Sequence, residues 1–571
     1  MAVVQVILAC VGFLVCCASL SVGTRVRLEA DQLLAREMLD WKVIGQAKPH
    51  EQHQLVFALR QSNIEHLEKK LMAVSTPGNP EYGRFLRAEQ VNDLVRPRKE
   101  SLRAVERWLT SADVSASKSC RYTAAQEFLH CDVSVAEASR LLEVRFERYQ
   151  KGALTVLRAA EHYTVPAEAA EHVDFVGGAH RLPVEHGGIK MPKKTSQQNG
   201  GGGPPKQMPM KPSILREYYE VRDEVGAGMA SRNIQGVSQF AQQYYSVSDL
   251  GKFMSEFNGN VTSLANVSKQ IGENPGPSTE EASMDIQYLM SLGSNIPTWS
   301  YYTTGDLDCY LSWIMTVANM STIPNVFSVS YGNCEVEFSQ TYLQRMNVEF
   351  AKVGVRGTTL LFASGDSGGG CNGTQDCPTF PASSPYVTSV GATSIGEPGN
   401  MNQSAPEVSI WFSGGGFSRS FPRPSYQDAV VEKFLRTAER LPSADYFNRS
   451  NRAFPDVAAI GADFNLVSGG DVLTMWGTSC SVPTFAGIIS LVNDRLVNEH
   501  SATPLGFLNP LLYQEGGIGA TALTDILAGY TAGCNMQPAF YAQRGWDPTT
   551  GFGSPRFPAL LAAALKAKGI H

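Results

Sequence analysis

The larger, C-terminal part of the sequence alternates between short apolar runs and longer segments with helical periodicity. Strands are predicted at residues 234–241, 324–330, 358–363 and 386–390, and helices at 281–292 and 340–353. Near-continuous apolar strands are typical of a parallel sheet that helices cover on both faces. We therefore expect residues 213–571 to form a doubly wound, mostly parallel α/β domain. In such a domain, functional sites gather at the carboxyl ends of the strands.

The sequence before this alternation has a different pattern. Strand-like and helical segments mix in it, with strands near 55–60, 127–131 and 144–149 and helices near 63–74, 101–109 and 134–142. This mixture predicts a small α+β domain over residues 24–187. Residues 188–212 are rich in Gly, Pro and Lys, which predicts a linker open to proteolysis. A small domain, a cleavable linker and a larger domain is the arrangement of a protease zymogen, and a plain interdomain linker fits the composition equally well.

Residues 1–23 are predicted to be a secretory signal peptide, because residues 6–15 are almost wholly apolar and small residues follow them. That run is short for a membrane span, and no later segment is long and apolar enough, so we expect no transmembrane helix. The net charge of −6, without blocks of like charge, gives no argument for nucleic-acid binding. Six sequons favour the secretory route and are predicted glycosylation sites: Asn260, Asn266, Asn319, Asn372, Asn402 and Asn448.

Three of the eleven cysteines lie in the predicted signal peptide, and an even number remains. An even number suits disulfides formed in an oxidising compartment. Cys120 and Cys131 are close together in the first domain, and we expect them to pair. The spacings match no zinc motif.

Ser479 is the candidate nucleophile. It follows Gly477-Thr478 and precedes an apolar run at 485–492, which predicts a tight turn into a buried helix with Pro483 in its first turn. A hydroxyl placed there is presented for nucleophilic attack, and an ordinary N-cap serine gives the same pattern.

A nucleophilic serine needs a base, which is usually histidine. No histidine lies between residues 187 and 499, and His500 follows the predicted helix within a polar run. Either Ser479 is not catalytic, or its base is a carboxylate. A carboxylate base suits acidic pH, at which histidine is protonated and cannot accept a proton.

Candidate carboxylates occur in two places. Glu281 and Asp285 are four residues apart on a predicted helix and therefore share a face. Glu281 could also simply close a capping box that begins at Ser278. Asp366 lies in the glycine-rich turn 364–370 after a predicted strand, which suggests close approach of a ligand to the backbone, and an Asx turn is the alternative interpretation.

Together these residues resemble the sedolisin family of serine-carboxyl peptidases. The likeness rests on Gly477-Thr478-Ser479 with Pro483, on Glu281-x-x-x-Asp285 and on Ser-Gly-Asp-Ser-Gly at 364–368. It extends over nearly the whole chain, including residues 172–178 of the first domain, and is greatest for the lysosomal, tripeptide-releasing branch of the family. The resemblance implies a subtilisin-like fold, preceded by a prodomain that inhibits the enzyme until it is removed.

The resemblance also implies a role for each candidate residue. Ser479 is the nucleophile, Glu281 is the base, and Asp285 orients Glu281 and shares a proton with it, so that the pair titrates jointly. Asp366 lines the oxyanion hole and has to be protonated in order to donate a hydrogen bond there.

Two further features follow from the resemblance. One structural Ca2+ is expected near the C-terminus, where two aspartates lie among glycine turns; turn residues without a metal would show the same composition. Gln543 stands where the family usually has glycine, and the implied ligands are Asp525, Ile526, Gln543, Gly545 and Asp547. A disulfide between Cys371 and Cys534 is also implied, whereas no partner is assigned to Cys309, Cys334, Cys377 or Cys480.

The implied activity is the release of tripeptides from the free N-termini of peptides and unfolded polypeptides at acid pH. The implied location is the lysosome or an equivalent acidic compartment, with secretion as the alternative. An acid endopeptidase would use the same fold, and a non-catalytic binding protein would be a degenerate form of it. Eight of the ten histidines lie in the first domain; we expect either that their protonation below pH about 6 repels the domain from its partner, or that they are ordinary surface residues.

Overall fold

The computed structural model describes residues 24–570 except 33, 35–40, 153, 184–208, 260, 262, 265, 304–307, 372–374 and 397–404. The predicted signal peptide and most of the predicted linker lie outside the described residues. The same is true of three predicted glycosylation sites: Asn260, Asn372 and Asn402.

An eight-stranded sheet forms the centre of the C-terminal domain. Its strands lie in the order Lys269–Ile271, Thr298–Tyr302, Gln235–Gln239, Val326–Val329, Thr359–Ala363, Thr388–Ile395 and Glu407–Ser409, and Val457–Ile460 also pairs with Thr388–Ile395. All pairs are parallel except the one made by Glu407–Ser409. Gln235–Gln239 comes first along the chain but lies inside the sheet. The strand order therefore reverses beside it and leaves a crevice at its carboxyl end.

Helices cover both faces of this sheet, which confirms the predicted doubly wound class. Neighbouring strand residues alternate between two cores: Val326 packs with Met284 on one face, whereas Phe327 packs with Trp313 on the other. The α-helices of the domain are Pro212–Tyr218, Val247–Phe257, Glu280–Leu292, Cys309–Asn319, Gln340–Gly354, Asp428–Thr437, Thr478–Asp494, Asn509–Tyr513, Ile518–Thr521 and Phe557–Ala567. None of the described helices is long and apolar enough to cross a membrane.

Smaller elements complete the C-terminal domain. Five two-stranded sheets join Asn333–Cys334 to Thr379–Phe380, Gly416–Pro422 to Asn451–Phe454, Phe464–Ser468 to Asp471–Met475, Leu523–Thr524 to Ser554–Pro555, and Tyr530–Ala532 to Pro538–Tyr541. Short 3-10 turns span Gly228–Ala230, Glu335–Glu337, Ser425–Gln427 and Cys534–Met536, and a π-turn spans Arg495–Glu499.

Two helices on the same face of the sheet as Met284 carry three of the four candidate catalytic residues, Ser479, Glu281 and Asp285. We call Thr478–Asp494 the serine helix and Glu280–Leu292 the carboxylate helix. They pack so closely that a Cβ added to Gly487 would lie 2.6 Å from the Cβ of Leu292. The serine helix begins earlier than predicted, and Pro483 lies inside it rather than in its first turn. Because proline has no N–H, the carbonyl of Ser479 lacks its usual donor four residues later.

The first domain has the predicted α+β class. A four-stranded antiparallel sheet has the order Cys120–Tyr122, Phe128–Ser134, Gln52–Leu59 and Val173–Gly177; a second sheet joins Lys42–Gln46, Phe146–Lys151 and Leu154–Ala159; and Arg25–Arg27 pairs with Thr164–Pro166. The helices are Ile64–Ser75, Ala88–Val95, Lys99–Ser111, Ala116–Ser119, Val135–Leu142 and Ala167–Ala170.

Buried ion pairs join the two domains across the helix Gln340–Gly354. Arg345 of that helix lies 2.9 Å from Asp174 of the first domain, and the Nζ atom of Lys352 lies 2.9 Å from the Oε1 atom of Glu127. Glu349 contacts both cations, at 3.0 and 2.6 Å. All of these side chains except Asp174 are almost fully buried. Charges held in this way are costly to leave without their partners.

Disulfide bonds join Cys120 to Cys131 and Cys371 to Cys534, as predicted. A third disulfide joins Cys334 to Cys377, a pairing that was not predicted. Cys309 and Cys480 remain buried thiols.

Candidate active site

Ser479 is the second residue of the serine helix and is buried. The N-cap is Gly477 rather than a serine, so the interpretation of Ser479 as an ordinary cap was wrong. Gly477 has a φ of 154°, and a Cβ there would lie 2.9 Å from the Oδ2 atom of Asp366. Only glycine fits this turn, which places the serine hydroxyl where the helix begins.

Ser330 connects the Ser479 hydroxyl to the carboxylate helix. The Oγ atom of Ser479 lies 3.5 Å from the carbonyl oxygen of Ser330, and the hydroxyl of Ser330 donates to the Oδ1 atom of Asp285 at 2.5 Å. Gln239 donates to the other oxygen of Asp285 at 3.4 Å and accepts from the hydroxyl of Tyr331 at 3.0 Å. These residues lie at the carboxyl ends of neighbouring strands, beside the crevice where the strand order reverses.

Glu281 and Asp285 are both buried, one helical turn apart. Burial and the charge of Glu281 raise the pKa of Asp285 well above its ordinary value. The two carboxyl groups therefore hold a proton at a pH at which an isolated aspartate would have lost it.

The capping-box interpretation of Glu281 was wrong. Thr279 caps the carboxylate helix without a side-chain hydrogen bond to it, and its hydroxyl donates instead to the carbonyl of Tyr244 at 3.1 Å. The hydroxyl of Ser278 donates to Asp249 at 2.6 Å. Closing a cap therefore does not account for the buried position of Glu281.

Asp366 joins the turn after the strand Thr359–Ala363 to the start of the serine helix. Its Oδ1 atom accepts from the backbone N–H of Thr478 at 2.6 Å and from the hydroxyl of Thr478 at 2.8 Å. The Oγ1 atom of Thr478 in turn accepts from the N–H of Gly365 at 3.2 Å. These partners are distant from Asp366 in sequence, so its carboxyl group links two separate segments of the chain. It holds the glycine-rich turn beside Ser479.

The three candidate carboxyl groups act electrostatically on Cys480, the residue that follows Ser479. Burial raises the pKa of this thiol, and the charges of Glu281, Asp366 and Asp285 raise it further. Since Cys480 is the residue after Ser479, the electrostatic influence of the three carboxylates converges on the start of the serine helix.

A cavity of about 350 Å³ opens beside Ser479. Residues 330–334 form one wall and residues 365–367 the other, and Glu337, Cys371, Cys377 and Thr379 also line it. Its volume is within the range of small-ligand sites. In the described part of the chain no histidine lines it. His500 lies beyond the far end of the serine helix, about 30 Å from Ser479 at 1.5 Å per helical residue.

The predicted calcium ligands lie on turns that approach one another. Asp525 accepts from the N–H of Gly545 at 2.8 Å, and Asp547 accepts from the N–H of Gln543 at 2.8 Å. Asp547 is fully buried, and its burial raises its pKa to about 7. Two carboxylates among backbone carbonyls suit Ca2+. No group of three or more His, Cys, Asp and Glu residues suited to a metal occurs in the described residues, so carbonyl oxygens, such as that of Ile526, would have to complete the site.

The remaining glycosylation predictions fall on described residues of different exposure. Asn266 and Asn448 are exposed, whereas Asn319 is partly buried. Asn319 donates to the carbonyl of Met315 at 2.8 Å and accepts from the N–H of Ala124, in the first domain, at 3.2 Å. A glycan on Asn319 would therefore lie next to the domain interface.

Comparisons with known proteins agree with this arrangement. The family model for the Pro-kumamolisin activation domain matches residues 39–182. Pseudomonas sedolisin, a serine-carboxyl proteinase solved with two molecules of pseudo-iodotyrostatin, has a TM-score of 0.50 at 23% identity and covers 64% of this chain and 100% of its own. Tripeptidyl-peptidase 1 of Pan troglodytes is 44% identical over 543 residues, which are 92% of this chain and 94% of that protein.

This chain belongs to the sedolisin family of serine-carboxyl peptidases. Tripeptidyl-peptidase 1 of Homo sapiens, at 43% identity with the same coverage, supports the assignment. As a member with an activation domain, the chain is a serine peptidase made as a zymogen.

Sequence reasoning missed three contributors to the site. Ser330 and Gln239 hold Asp285, and the Cys334–Cys377 disulfide lies in the cavity wall. Ser330 and Gln239 both fall in predicted strands, near their carboxyl ends, so the rule that sites gather there could have identified them. No signal in the sequence indicated the disulfide.

Proposed function

We propose that this protein is an acid-active peptidase that releases tripeptides from free N-termini, with Ser479 as nucleophile and a carboxyl pair as its base. The observation that carries the proposal is the connection from Asp285 through Ser330 to Ser479, in a site whose described lining has no histidine. A buried pair of carboxyl groups that share a proton replaces the imidazole of a conventional triad.

In the proposed reaction, the Oγ atom of Ser479 attacks the scissile carbonyl carbon while Glu281 takes the hydroxyl proton. Asp285 shares its proton with Glu281 and orients it. The negative charge that develops on the carbonyl oxygen is stabilised by protonated Asp366. Glu281 then gives the proton to the leaving amine, and an acyl group remains on Ser479. Water then loses a proton to Glu281 and attacks the acyl carbon. The bond between that carbon and the Oγ atom of Ser479 breaks, Glu281 returns the proton to Oγ, and the peptide acid is released.

Acidity is needed at two points of this reaction. Asp366 has to carry a proton in order to donate a hydrogen bond, and an unperturbed aspartate titrates near pH 4. The pair formed by Glu281 and Asp285 must keep one proton between its two members. Both requirements support an enzyme that works in the lysosome or an equivalent acidic compartment and has little activity at neutral pH.

The first domain is proposed to act as an intramolecular inhibitor. Its buried ion pairs with Arg345 and Lys352 fix it to the C-terminal domain. A fixed domain of this kind is suited to keeping the enzyme inactive until the linker is cut.

Tripeptide release is tested with one long peptide, supplied either with a free N-terminus or N-acetylated. Mass spectrometry of the acid digest is expected to show successive losses of three residues from the free peptide and no products from the acetylated one. Internal cleavage of both forms at equal rates would establish the endopeptidase alternative instead. Ser479→Ala is the inactive control for both digests and should yield no products. If the protein is a non-catalytic binding protein, the unmodified protein should yield no products either.

One structural Ca2+ is proposed at Asp525 and Asp547, with the carbonyl oxygens of Ile526, Gln543 and Gly545. When bound, the ion supplies positive charge to two partly or fully buried carboxylates and links the turns that carry them. Removal of calcium by a chelator is expected to lower the Tm, and added Ca2+ to restore it. A Tm that does not respond to chelation or to added Ca2+ would exclude the site.

A further inference from the structure

The cavity beside Ser479 contains an acidic group that the proposed reaction does not use. Glu337 lines it from the short turn Glu335–Glu337, directly after Cys334. The other carboxylate of the lining is Asp366, which is held by Thr478 at the start of the serine helix. No lysine, arginine or histidine belongs to the lining in the part of the chain that the structure describes. The cavity therefore contains acidic groups without a cationic side chain among its described lining residues, and Ser479 is part of that lining.

Glu337 has a fixed position in this pocket. Its carboxylate accepts from the amide Nδ2 atom of Asn333 at 2.9 Å, and Asn333 in turn lies 3.4 Å from the hydroxyl of Tyr310. The disulfide between Cys334 and Cys377, both lining residues, ties this segment to the chain that precedes the strand Thr379–Phe380. An acidic side chain that is partly buried and held in this way can recognise a cation.

The position of the cavity shows which part of a substrate enters it. Its lining includes the segment 330–334, the turn 365–367 and Ser479 itself. The side chain closest to the attacked carbonyl is that of the residue that supplies this carbonyl, because its Cα is bonded to the carbonyl carbon. In serine peptidases the pocket next to the nucleophile selects this side chain, and an acidic residue in that pocket selects a basic one.

We propose that Glu337 makes this cavity selective for a basic side chain, lysine or arginine, on the residue whose carbonyl Ser479 attacks. The inference rests on the proposed function, because it assigns a specificity to the same site. For a tripeptide-releasing enzyme, the selected residue is the third from the N-terminus.

In the zymogen, a cation of the first domain acts electrostatically on Glu337. Burial raises the pKa of Glu337 above its ordinary value, hydrogen bonds from Asn333 and from the backbone of Cys334 oppose that change, and the charge of Lys151 opposes it as well. Lys151 belongs to the first domain, at the end of the strand Phe146–Lys151. Removal of that domain takes this charge away and leaves the carboxylate accessible to a cation of the substrate.

The pH dependence of the selectivity follows from the same groups. Glu337 attracts a cation only when it is ionised, so the preference for a basic residue is present above its raised pKa and weakens as the pH falls through it. The titratable groups that face it are Lys151 in the zymogen, Tyr310 across Asn333, and Asp366 in the same cavity. Of these, only Lys151 is a cation, and activation removes it.

The test uses the activated enzyme and two fluorogenic tripeptide amides, Ala-Ala-Arg and Ala-Ala-citrulline. Citrulline has nearly the shape of arginine without its charge. We expect kcat/KM to favour the arginine reporter about tenfold at pH about 6 and less at pH about 4. Glu337→Gln is expected to bring the ratio to about one, since the amide keeps an acceptor for Asn333 but not the charge. Glu337→Lys is expected to favour Ala-Ala-Glu.

Three controls keep the outcomes distinct. Glu256→Gln removes the same charge from an exposed site on the helix Val247–Phe257 and should leave the ratio as it is in the parent enzyme. A further reporter with an uncharged third residue, Ala-Ala-Phe, shows whether each variant is folded and active. Reporters with arginine or citrulline at the second position show whether the enzyme recognises the charge at the second or at the third residue of the substrate.

Equal rates on the arginine and citrulline reporters, or a preference that survives Glu337→Gln, would overturn the inference while leaving the proposed function intact. A charge preference at the second position would overturn the placement of the side chain in this cavity. If the parent enzyme cleaves none of the reporters, the proposed function fails, and the assignment of Glu337 fails with it.

Discussion

Two groups of buried carboxylates respond to pH in opposite directions. Asp285, beside the nucleophile, accepts from the neutral donors Ser330 and Gln239, and burial together with the charge of Glu281 raises its pKa. At the domain interface, burial alone would raise the pKa of Glu127. The ammonium group of Lys352, a backbone hydrogen bond and the charge of Arg345 together more than reverse this, so that the pKa is lowered. The two pKa values shift in opposite directions because Asp285 lies beside another carboxyl group, that of Glu281, whereas Glu127 lies beside a cation, Lys352.

This contrast gives the two regions opposite stability profiles. Above pH about 4, an unfolded aspartate has lost its proton, whereas Asp285 in the folded protein still holds one. In that range the free energy of unfolding contributed by Asp285 falls as the pH rises. Glu127 stabilises the interface above its unfolded pKa, and this contribution is lost as the pH falls through its lowered folded pKa. Acidification therefore favours the active site and weakens the attachment of the inhibitor domain.

The largest expected effect comes from breaking the carboxyl pair at the active site. Glu281→Gln keeps the size of the side chain but cannot accept the proton of Ser479, so kcat should fall by about 10²–10⁴-fold. Activity on a tripeptide-amide reporter measures this loss. Glu280→Gln, on the adjacent residue of the same helix, is the matched control and should be nearly as active as the parent. A Glu281→Gln enzyme with parental kcat would show that the proton goes elsewhere.

The next effect concerns the interface. Glu127→Gln leaves Lys352 paired with Glu349 but removes the charge contributed by the first domain, which should weaken the attachment by about 2 kcal/mol. The zymogen should then mature faster at neutral pH, and its maturation rate should depend less on pH. Gel analysis of processing over time measures both quantities. Glu65→Gln, at an exposed residue of the same domain, is the control; equal maturation profiles for the two variants would contradict the account.

A smaller effect is expected at Asp285, whose contribution to stability should depend on pH in the opposite direction to that of Glu127. In a Ser479→Ala background, so that no chain matures, Asp285→Asn removes the group whose folded pKa is raised. Relative to the Tm at pH about 4, the Tm at pH about 7 should be a few degrees higher in Asp285→Asn than in the Ser479→Ala parent. Differential scanning fluorimetry measures it, with the exposed Asp471→Asn as control. An unchanged pH profile would mean that Asp285 is ionised in the folded protein.

The smallest effect concerns the histidines of the first domain. Burial lowers the pKa of His53 and of His180 to about 4, so neither ring gains a charge near pH 6 in the folded domain. The expectation that protonation below pH about 6 would repel the first domain from its partner was therefore wrong for these two residues. They still oppose folding on acidification, because the unfolded state takes up their protons first, from pH about 6.5 downwards.

His180→Gln should therefore flatten the loss of zymogen stability between pH about 6.5 and about 4. The side chain of Gln can still donate to the carbonyl of Glu161, which the ring contacts at 3.0 Å. Chemical denaturation across this pH range measures the change, and His66→Gln, at an exposed residue, is the control. If His66→Gln flattens the profile as much as His180→Gln, burial of the imidazole is not the cause.

The sequence predicted the fold class because the apolar strands of a parallel sheet, such as residues 358–363, differ visibly from the alternating pattern of the first domain. It also selected Ser479, Glu281, Asp285 and Asp366, whose carboxyl groups and hydroxyl the structure brings together around the start of one helix. It did not predict Ser330 or Gln239 as partners of Asp285, because hydrogen bonds between strand ends depend on strand order. The start of the serine helix was also misplaced, since Pro483 normally marks a first turn and here lies inside the helix.

The central claim is that a carboxyl pair, and not an imidazole, activates Ser479. Its most direct test is the covalent labelling of the acidified, activated enzyme by an acylating serine inhibitor, with the modified residue located by mass spectrometry in the parent and in Glu281→Gln. We predict one adduct, on Ser479, that forms rapidly in the parent and at least about 100-fold more slowly in Glu281→Gln. Equal labelling rates in the two proteins, or an adduct on another residue, would contradict the claim.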